Sequence, residues 1–580
     1  MFSVLGKLGW FFKMEKKRYF IAIGFLVLAG ITDIVPPWLL GYVIDGFSQN
    51  TIGDADFYRI AIFWGSLTIA GYLITYVWFY YLFGASFVLE RKLRYRLMSH
   101  FLRMTPTFYE RNRTGDLMAR ATNDLRAVSN TAGFGIMTLV DSTLFMLTIL
   151  AVMAIGISFK LTLAALIPLP FMALAMSYFG KKIHEKFMGA QNAFGEMNDE
   201  VLETVAGVRV IRAYVQEEAS EKQFAEKTEE VLGKNIEVAK IDALFEPTMK
   251  ILVGCSYLIG LGYGGFLVFH NEITLGELVS FNVFLGMLIW PMFAIGELIN
   301  IMQRGNASLD RVNETLGYHP DVLGAEQPVA VSEPTVLEFK EVTFRYPSSE
   351  SNNLEAVTLK LRQGETLGIV GRTGSGKTTL LKQLLREYPK GEGEIRISEV
   401  PLEEVEIDRL LGWIGYVPQQ PVLFSKSIRD NIYFGSKNAT EEDLQHALER
   451  ASFAKDIAFL PDKLDTMVGE KGVALSGGQK QRVSIARALI ANPEILILDD
   501  ALSAVDAKTE AEIIEGIRTE RAGKTTLITT HRLSAVQHAE WIIVLEDGRI
   551  AQEGTHEELL QQGGWYREQY DRQQLEAAID

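Results

Sequence analysis

The chain has 580 residues, of which 48% are hydrophobic, and a formal net charge of −15. That length exceeds one ordinary domain, and the composition is too apolar for a typical soluble protein and too polar for one wholly embedded in lipid. The acidic excess argues against nucleic acid as a partner, which would call for a basic face. The lone Cys255 precludes an internal disulfide and is expected to be a small packed residue.

The N-terminal stretch is amphipathic, with Leu5, Leu8, Trp10, Phe11 and Phe12 beside Lys7, Lys13, Lys16 and Lys17. It reads as a helix lying on a membrane surface before a first span. A spanning helix needs roughly 20 mostly apolar residues. Six windows qualify, near 19–43, 60–88, 131–157, 161–179, 249–269 and 278–301. Lys16, Lys17 and Arg18 precede the first span. Seven arginines and lysines between Arg91 and Arg113 follow the second, and Lys181 and Lys182 follow the fourth. Positive charge stays inside, so both termini are expected in the cytosol. The long loops near 89–129 and 180–245 keep helical periodicity. The spanning helices are therefore expected to run on into the cytosol and turn back near RTGD (Arg113, Thr114, Gly115, Asp116) and IRAYVQ (Ile211 to Gln216). Asp33, Asp141 and Glu297 are ionisable residues within spans. Each either faces a water-filled cavity that attracts cationic solutes, or caps a helix or meets a partner's polar group.

The polar, proline-bearing stretch 321–334 reads as a linker. The expected division is a six-helix membrane domain over 1–320, the linker, and an α/β nucleotide-binding domain over 335–580.

Within that second domain ETLGIV reads as a strand, TLLKQLLREY as a helix, and GRTGSGKT lies between them. Strand, glycine-rich loop and helix make the context of a P-loop. Gly371, Arg372, Thr373, Gly374, Ser375 and Gly376 turn backbone N–H groups toward phosphate, and the helix N-terminus adds its positive end. Lys377 supplies a charge to the β- and γ-phosphates of ATP, and Thr378 offers its hydroxyl to Mg²⁺, with Thr379 next in line. ILILDD then ends a buried strand in Asp499, placed to hold Mg²⁺, and Asp500. The pentapeptide LSGGQ puts Ser476, Gly477, Gly478 and Gln479 before another helix, a second phosphate-receiving loop. One ATP needs one cradle; two cradles imply two composite sites and another subunit.

With these motifs in order, the chain resembles a half-transporter of the ATP-binding cassette (ABC) exporters over nearly its whole length. The resemblance implies paired cassettes that sandwich two ATP molecules, the P-loop of one facing the LSGGQ loop of the other. It assigns Tyr346 to adenine stacking, Gln419 to Mg²⁺ and to sensing the membrane domain, and Ser503 to Asp506 to the loop crossing the dimer interface. It assigns His531 to the γ-phosphate and Glu470 to a contact with the cytosolic loops. The two bends match its coupling helices.

Asp500 departs from the family, whose efficient members carry glutamate there to polarise the attacking water. One missing methylene withdraws the carboxylate by roughly 1.5 Å, and a displacement near 1 Å can cost about 10²-fold in rate. The departure resembles the degenerate half of heterodimeric exporters, and a homodimer in which aspartate suffices is the alternative. The expected function is ATP-driven export of hydrophobic or amphiphilic small molecules, drugs first and lipids or peptides next, from a multi-pass bacterial plasma-membrane protein in contact with lipid. A membrane sensor switched by ATP without pumping is the competing reading; an importer fits the six-helix arrangement poorly.

Overall fold

The computed structural model describes residues 2–469 and 473–579. It divides into two compact units, Met1–Phe101 with Gly115–Tyr318, and Leu102–Thr114 with His319–Asp580.

The first unit is helical. Six helices among the described residues are long and apolar enough to cross a membrane: α1 Lys16–Ser48, α2 Asp54–Phe101, α3 Thr114–Ile157, α4 Phe159–Ala206, α5 Glu217–Phe269 and α6 Leu275–Leu316. The last five have 42 to 53 residues. At about 1.5 Å rise per residue they exceed twice the ~30 Å hydrocarbon thickness, so the periodicity beyond the apolar windows is continuous helix. The expected turns exist, with one shift. After α2 the chain breaks at Leu102, and a short helix Pro106–Arg111 follows, entered from the extended Thr105. Pro106 suits a first helical position because its fixed φ fits and its missing N–H would be unpaired there. RTGD therefore lies at the start of α3, not in the turn. The second turn runs from Gly207 through a helix Val208–Ala213 to Gln216, with Val215 at φ 54°.

Small residues let helices touch. A Cβ on Gly276 would sit 2.0 Å from the Gly41 carbonyl oxygen, and one on Gly305 would sit 1.9 Å from Thr131 Oγ1. Asp45 accepts from Gly276 N (2.8 Å) and Thr274 Oγ1 (2.6 Å), tying the end of α1 to the start of α6. Two expectations are corrected. The N-terminal stretch forms two short helices, Ser3–Lys7 and Gly9–Met14, whose Val4, Leu8 and Phe11 are fully buried against Leu89, Leu93, Leu97 and Val312. Its apolar face meets protein, because the C-terminal ends of α2 and α6 offer a matching apolar stripe. Cys255 is exposed on α5, a helix apolar on every side at that depth, so composition does not mark its inner face.

The second unit is α/β. A six-stranded sheet runs β10-β9-β3-β8-β7-β6, parallel except for the β10–β9 pair. Its strands are β3 Thr366–Gly371, β6 Ile414–Val417, β7 Ile495–Asp499, β8 Thr525–Thr529, β9 Trp541–Glu546 and β10 Arg549–Gly554. A four-stranded antiparallel sheet has the order β2-β1-β4-β5, with β1 Val336–Phe344, β2 Leu354–Arg362, β4 Glu392–Ile397 and β5 Val400–Pro401. β7 and β8 are buried at every position, as a parallel sheet covered on both faces requires.

Candidate nucleotide site

The carboxyl ends of β3 and β7 lie one strand apart, with β8 between them. This is where an open parallel sheet presents its ligand crevice. β3 leaves the sheet at Gly371 (φ 147°), and the loop closes through Gly374 (φ 85°) and Gly376 (φ 102°). A Cβ on Gly371 would lie 2.2 Å from the Leu545 carbonyl oxygen, so the tight exit needs glycine. Arg372, Thr373 and Gly374 form the exposed rim, while Ser375 is buried with its hydroxyl unpaired by protein. The next helix, α7, spans Lys377–Leu384 and stops earlier than the sequence suggested, since Arg386 takes φ 51°.

Lys377 Nζ donates to the carbonyls of Gly371 (2.8 Å) and Arg372 (2.9 Å), folded over its own loop. Burial lowers its pKa, opposed by the charges of Asp500 and Asp499. Thr378 Oγ1 donates to Asp499 Oδ1 at 3.0 Å, and Thr529 Oγ1 donates to the same oxygen at 2.7 Å. Tyr416 OH approaches Oδ2 at 3.4 Å, and burial beside Asp499 raises its pKa. Asp499 is 1% exposed; a buried carboxylate held by hydroxyls beside an ammonium is set to accept a cation. The buried unpaired hydroxyl, the glycine cradle and the Thr378–Asp499 pair together fit a nucleotide triphosphate with magnesium.

Asp500 turns away from the strand in the left-handed region (φ 47°), its N–H donating to Thr529 O (2.9 Å). His531 Nδ1 lies 3.0 Å from Asp500 Oδ1, at ion-pair distance but outside hydrogen-bond geometry, and Gln419 Nε2 is 3.4 Å from Oδ2. Asp500, His531 and Gln419 thus converge. Tyr346 is half-buried; its hydroxyl donates to Thr379 Oγ1 (3.2 Å) and its ring meets Tyr388 edge-on at 4.9 Å.

The second loop is set apart from these groups by its own helix, α8, Gly477–Leu489. Ser476 caps it: Oγ accepts from Gln479 N (3.2 Å), while Gln479 Oε1 accepts from Ser476 N (3.0 Å). Gly478 packs against the Ala504 carbonyl, where a Cβ would come within 2.8 Å. Glu470 lies outside the described residues.

Sequence reasoning missed the groups that hold Ser503 to Asp506. Buried Gln481 donates to Ser503 Oγ (3.1 Å) and accepts from Ala504 N (3.0 Å). Arg532 donates to the carbonyls of Ser503 (3.0 Å) and Val505 (2.9 Å) and to Glu510 (2.7 Å), which is 3% exposed. A polar residue at a core position of an amphipathic helix, as at Gln481, was the available signal. Within the same unit Tyr388 donates to Glu110 on the helix Pro106–Arg111.

In the helical unit Asp33 and Asp141 line a cavity of about 480 Å³ with Trp78, Phe145 and Trp290, whose Nε1 donates to Asp141 Oδ2 at 3.4 Å. Glu297 lines a second cavity of about 1130 Å³ with Phe134, Met176, Phe245 and Met292, and lies 3.7 Å from Arg304. Trp290 borders both.

A P-loop cassette following six membrane-crossing helices in one chain defines an ATP-binding membrane transporter. The match to known families agrees: residues 19–292 fit the ABC transporter transmembrane region and residues 354–503 fit the ABC transporter cassette. The chain belongs to the ABC transporter family, as a fused ATP-binding and permease protein. It is 62% identical to the probable multidrug resistance ABC transporter ATP-binding/permease protein YheI of Bacillus subtilis, over 99% of this chain and 98% of that one. It is 42% identical to the multidrug resistance-like ATP-binding protein MdlA of Escherichia coli, over 100% and 98%. The fold matches a bacterial Atm1-family ABC exporter with ATP bound, at TM-score 0.79 and 24% identity, covering 96% of this chain and 99% of that one.

Proposed function

We propose that the chain is the slow-site subunit of a heterodimeric exporter of hydrophobic and amphiphilic compounds, drugs above all, in a bacterial plasma membrane with both termini cytosolic. The observation that carries the reading is Asp500: an aspartate stands, with His531 and Gln419 converging on it, where the family's working members place a glutamate. Bound ATP with magnesium supplies the phosphoanhydride whose cleavage resets the transporter.

The chain's own residues divide the work. Gly371 to Gly376 would cradle phosphate, Lys377 would exchange its two carbonyls for the β- and γ-phosphates, and Thr378, Asp499 and Gln419 would hold a magnesium ion that neutralises phosphate charge. Tyr346 releases Thr379 to stack on adenine. Asp500 orients water from too far back, while His531 faces the γ-phosphate. Ser476 to Gln479 complete the partner's site, where the long acid resides. Exposed Val208, Val210, Tyr214 and Val215 on the second turn, 47–80% accessible, are apolar surface awaiting a cassette. The relatives' names favour drugs as cargo, and two carboxylates beside two tryptophans favour cationic ones.

Inside-out vesicles carrying this chain and its co-purified partner provide the test. ATP-dependent accumulation of a cationic dye, lost in Asp33→Asn/Asp141→Asn, supports the reading. Nucleotide-dependent conformational change without accumulation of any solute favours the sensor instead.

A further inference from the structure

Along one face of α2, Phe83, Ser86, Phe87, Glu90, Arg91 and Arg94 recur at three- and four-residue spacing, and Arg126, Ser129 and Asn130 do the same on α3. The two faces enclose a cleft of about 490 Å³. Its floor is a close helix approach: Ser129 Oγ donates to the Ser86 carbonyl at 3.0 Å, and a Cβ on Gly133 would lie 3.1 Å from Ser86 Oγ. Its rim carries three arginines against one carboxylate. Glu90 pairs with Arg94, which also reaches the Ala121 carbonyl at 3.4 Å. Arg91 and Arg126 make no hydrogen bond or ion pair among the described residues.

A second groove of about 430 Å³ adjoins it, lined by Arg18, Phe79, Tyr80, Tyr81, Phe83, Gly84 and Phe87. The two share Phe83 and Phe87, so an aromatic trough lies beside a basic cleft. Position fixes what such a shape meets. From Ile60 to Leu89 the sequence holds no charge. At about 1.5 Å per residue those 30 residues reach across hydrocarbon and both interfaces, which places Glu90 and Arg91 at the inner headgroup layer.

We propose that this cleft and trough bind one anionic phospholipid of the inner leaflet, its phosphate between Arg91 and Arg126 and an acyl chain along Phe79, Phe83 and Phe87. Basic pockets between membrane helices on the cytoplasmic side suit anionic headgroups. A free phosphate would use only the arginines; a lipid uses the aromatic trough as well. The inference is independent of Asp500 and of the cargo.

Native mass spectrometry of the full-length transporter, released from membranes containing phosphatidylglycerol and phosphatidylcholine, reads retained lipid directly. The expected result is preferential retention of phosphatidylglycerol, falling about fivefold in Arg91→Gln or Arg126→Gln and about 25-fold in the double variant. Phe83→Ala/Phe87→Ala lowers it too, and 10 mM-scale inorganic phosphate does not displace it, at roughly a ten-thousandfold excess over micromolar sites. Unchanged retention in both single arginine variants would overturn the proposal. So would phosphate displacement, which identifies an anion site without a lipid. A photo-crosslinker at position 91 that captures a partner chain instead of lipid would overturn it as well. Thermal unfolding in detergent checks that each variant is folded, and the two single variants keep the test readable if the double one is not.

Discussion

On the proposed reading, one methylene fewer on the carboxylate at position 500 separates holding nucleotide from hydrolysing it. Asp500 Oδ1 lies 3.0 Å from His531 Nδ1 and its Oδ2 accepts from Gln419 Nε2 at 3.4 Å, yet a base must reach hydrogen-bond distance of the proton it takes. Replacing Asp500 with Glu should raise the single-site turnover of this chain's pocket toward the ~10²-fold scale of a 1 Å correction, measured in a complex whose partner site is silenced. Asp500→Asn should leave nucleotide affinity unchanged. Lys377→Ala should abolish labelling by azido-ATP, because the only ammonium folded over Gly371 and Arg372 in that loop is lost. If Asp500→Glu leaves turnover flat in a complex with an intact partner signature, the short arm is not the bottleneck.

Elements depend on a few buried polar ties. Arg532 connects β8 to the turn at Ser503 and to nearly inaccessible Glu510. Arg532→Ala leaves that carboxylate without its cation and with only the Ser534 hydroxyl, at 2.7 Å, donating to it, at a cost of about 3 kcal/mol. For a cassette of this size the midpoint should fall by roughly 6–12 °C, read by differential scanning fluorimetry. Gly276→Ala should cost about 1–3 kcal/mol by forcing α1 from α6, a loss the same thermal assay detects and Gly65→Ala, with open space around it, should not show. The P-loop strand and its glycines were legible because their chemistry is local: φ values near and above 85° at Gly371, Gly374 and Gly376 are what the spacing demands. The six spans were legible from apolar length alone. Gln481, Arg532 and Glu510 were not, since their partners are brought together only when β8, α8 and the turn fold on each other. The burial of Phe11 and the exposure of Cys255 escaped for a related reason: an apolar residue does not say whether lipid or protein will cover it.

At the scale of the whole molecule the proposed reading makes the chain one half of a transporter. It carries a P-loop, a second glycine-bearing loop at the start of another helix, and a turn at Val208–Ala213 with no buried residue. Purification from native membrane at its own expression level should bring down a second, related half-transporter in equal amount, identified by mass spectrometry of the intact complex. A homodimer with brisk ATP turnover would remove the asymmetric reading while leaving the fold and the inner-leaflet lipid site untouched.

The cap at Ser476 has one more implication. Its oxygen already accepts from the Gln479 amide, so the lone pair stabilises α8 while the hydroxyl hydrogen stays available to point outward. Helix start and donor are therefore two properties of one atom, and they can be uncoupled. Ser476→Asp preserves the acceptor that begins the helix but offers no proton and adds repulsion toward an anion across the interface. Such a variant should melt like the parent and still silence its neighbour's pocket, whereas Ser476→Ala loses both virtues at once.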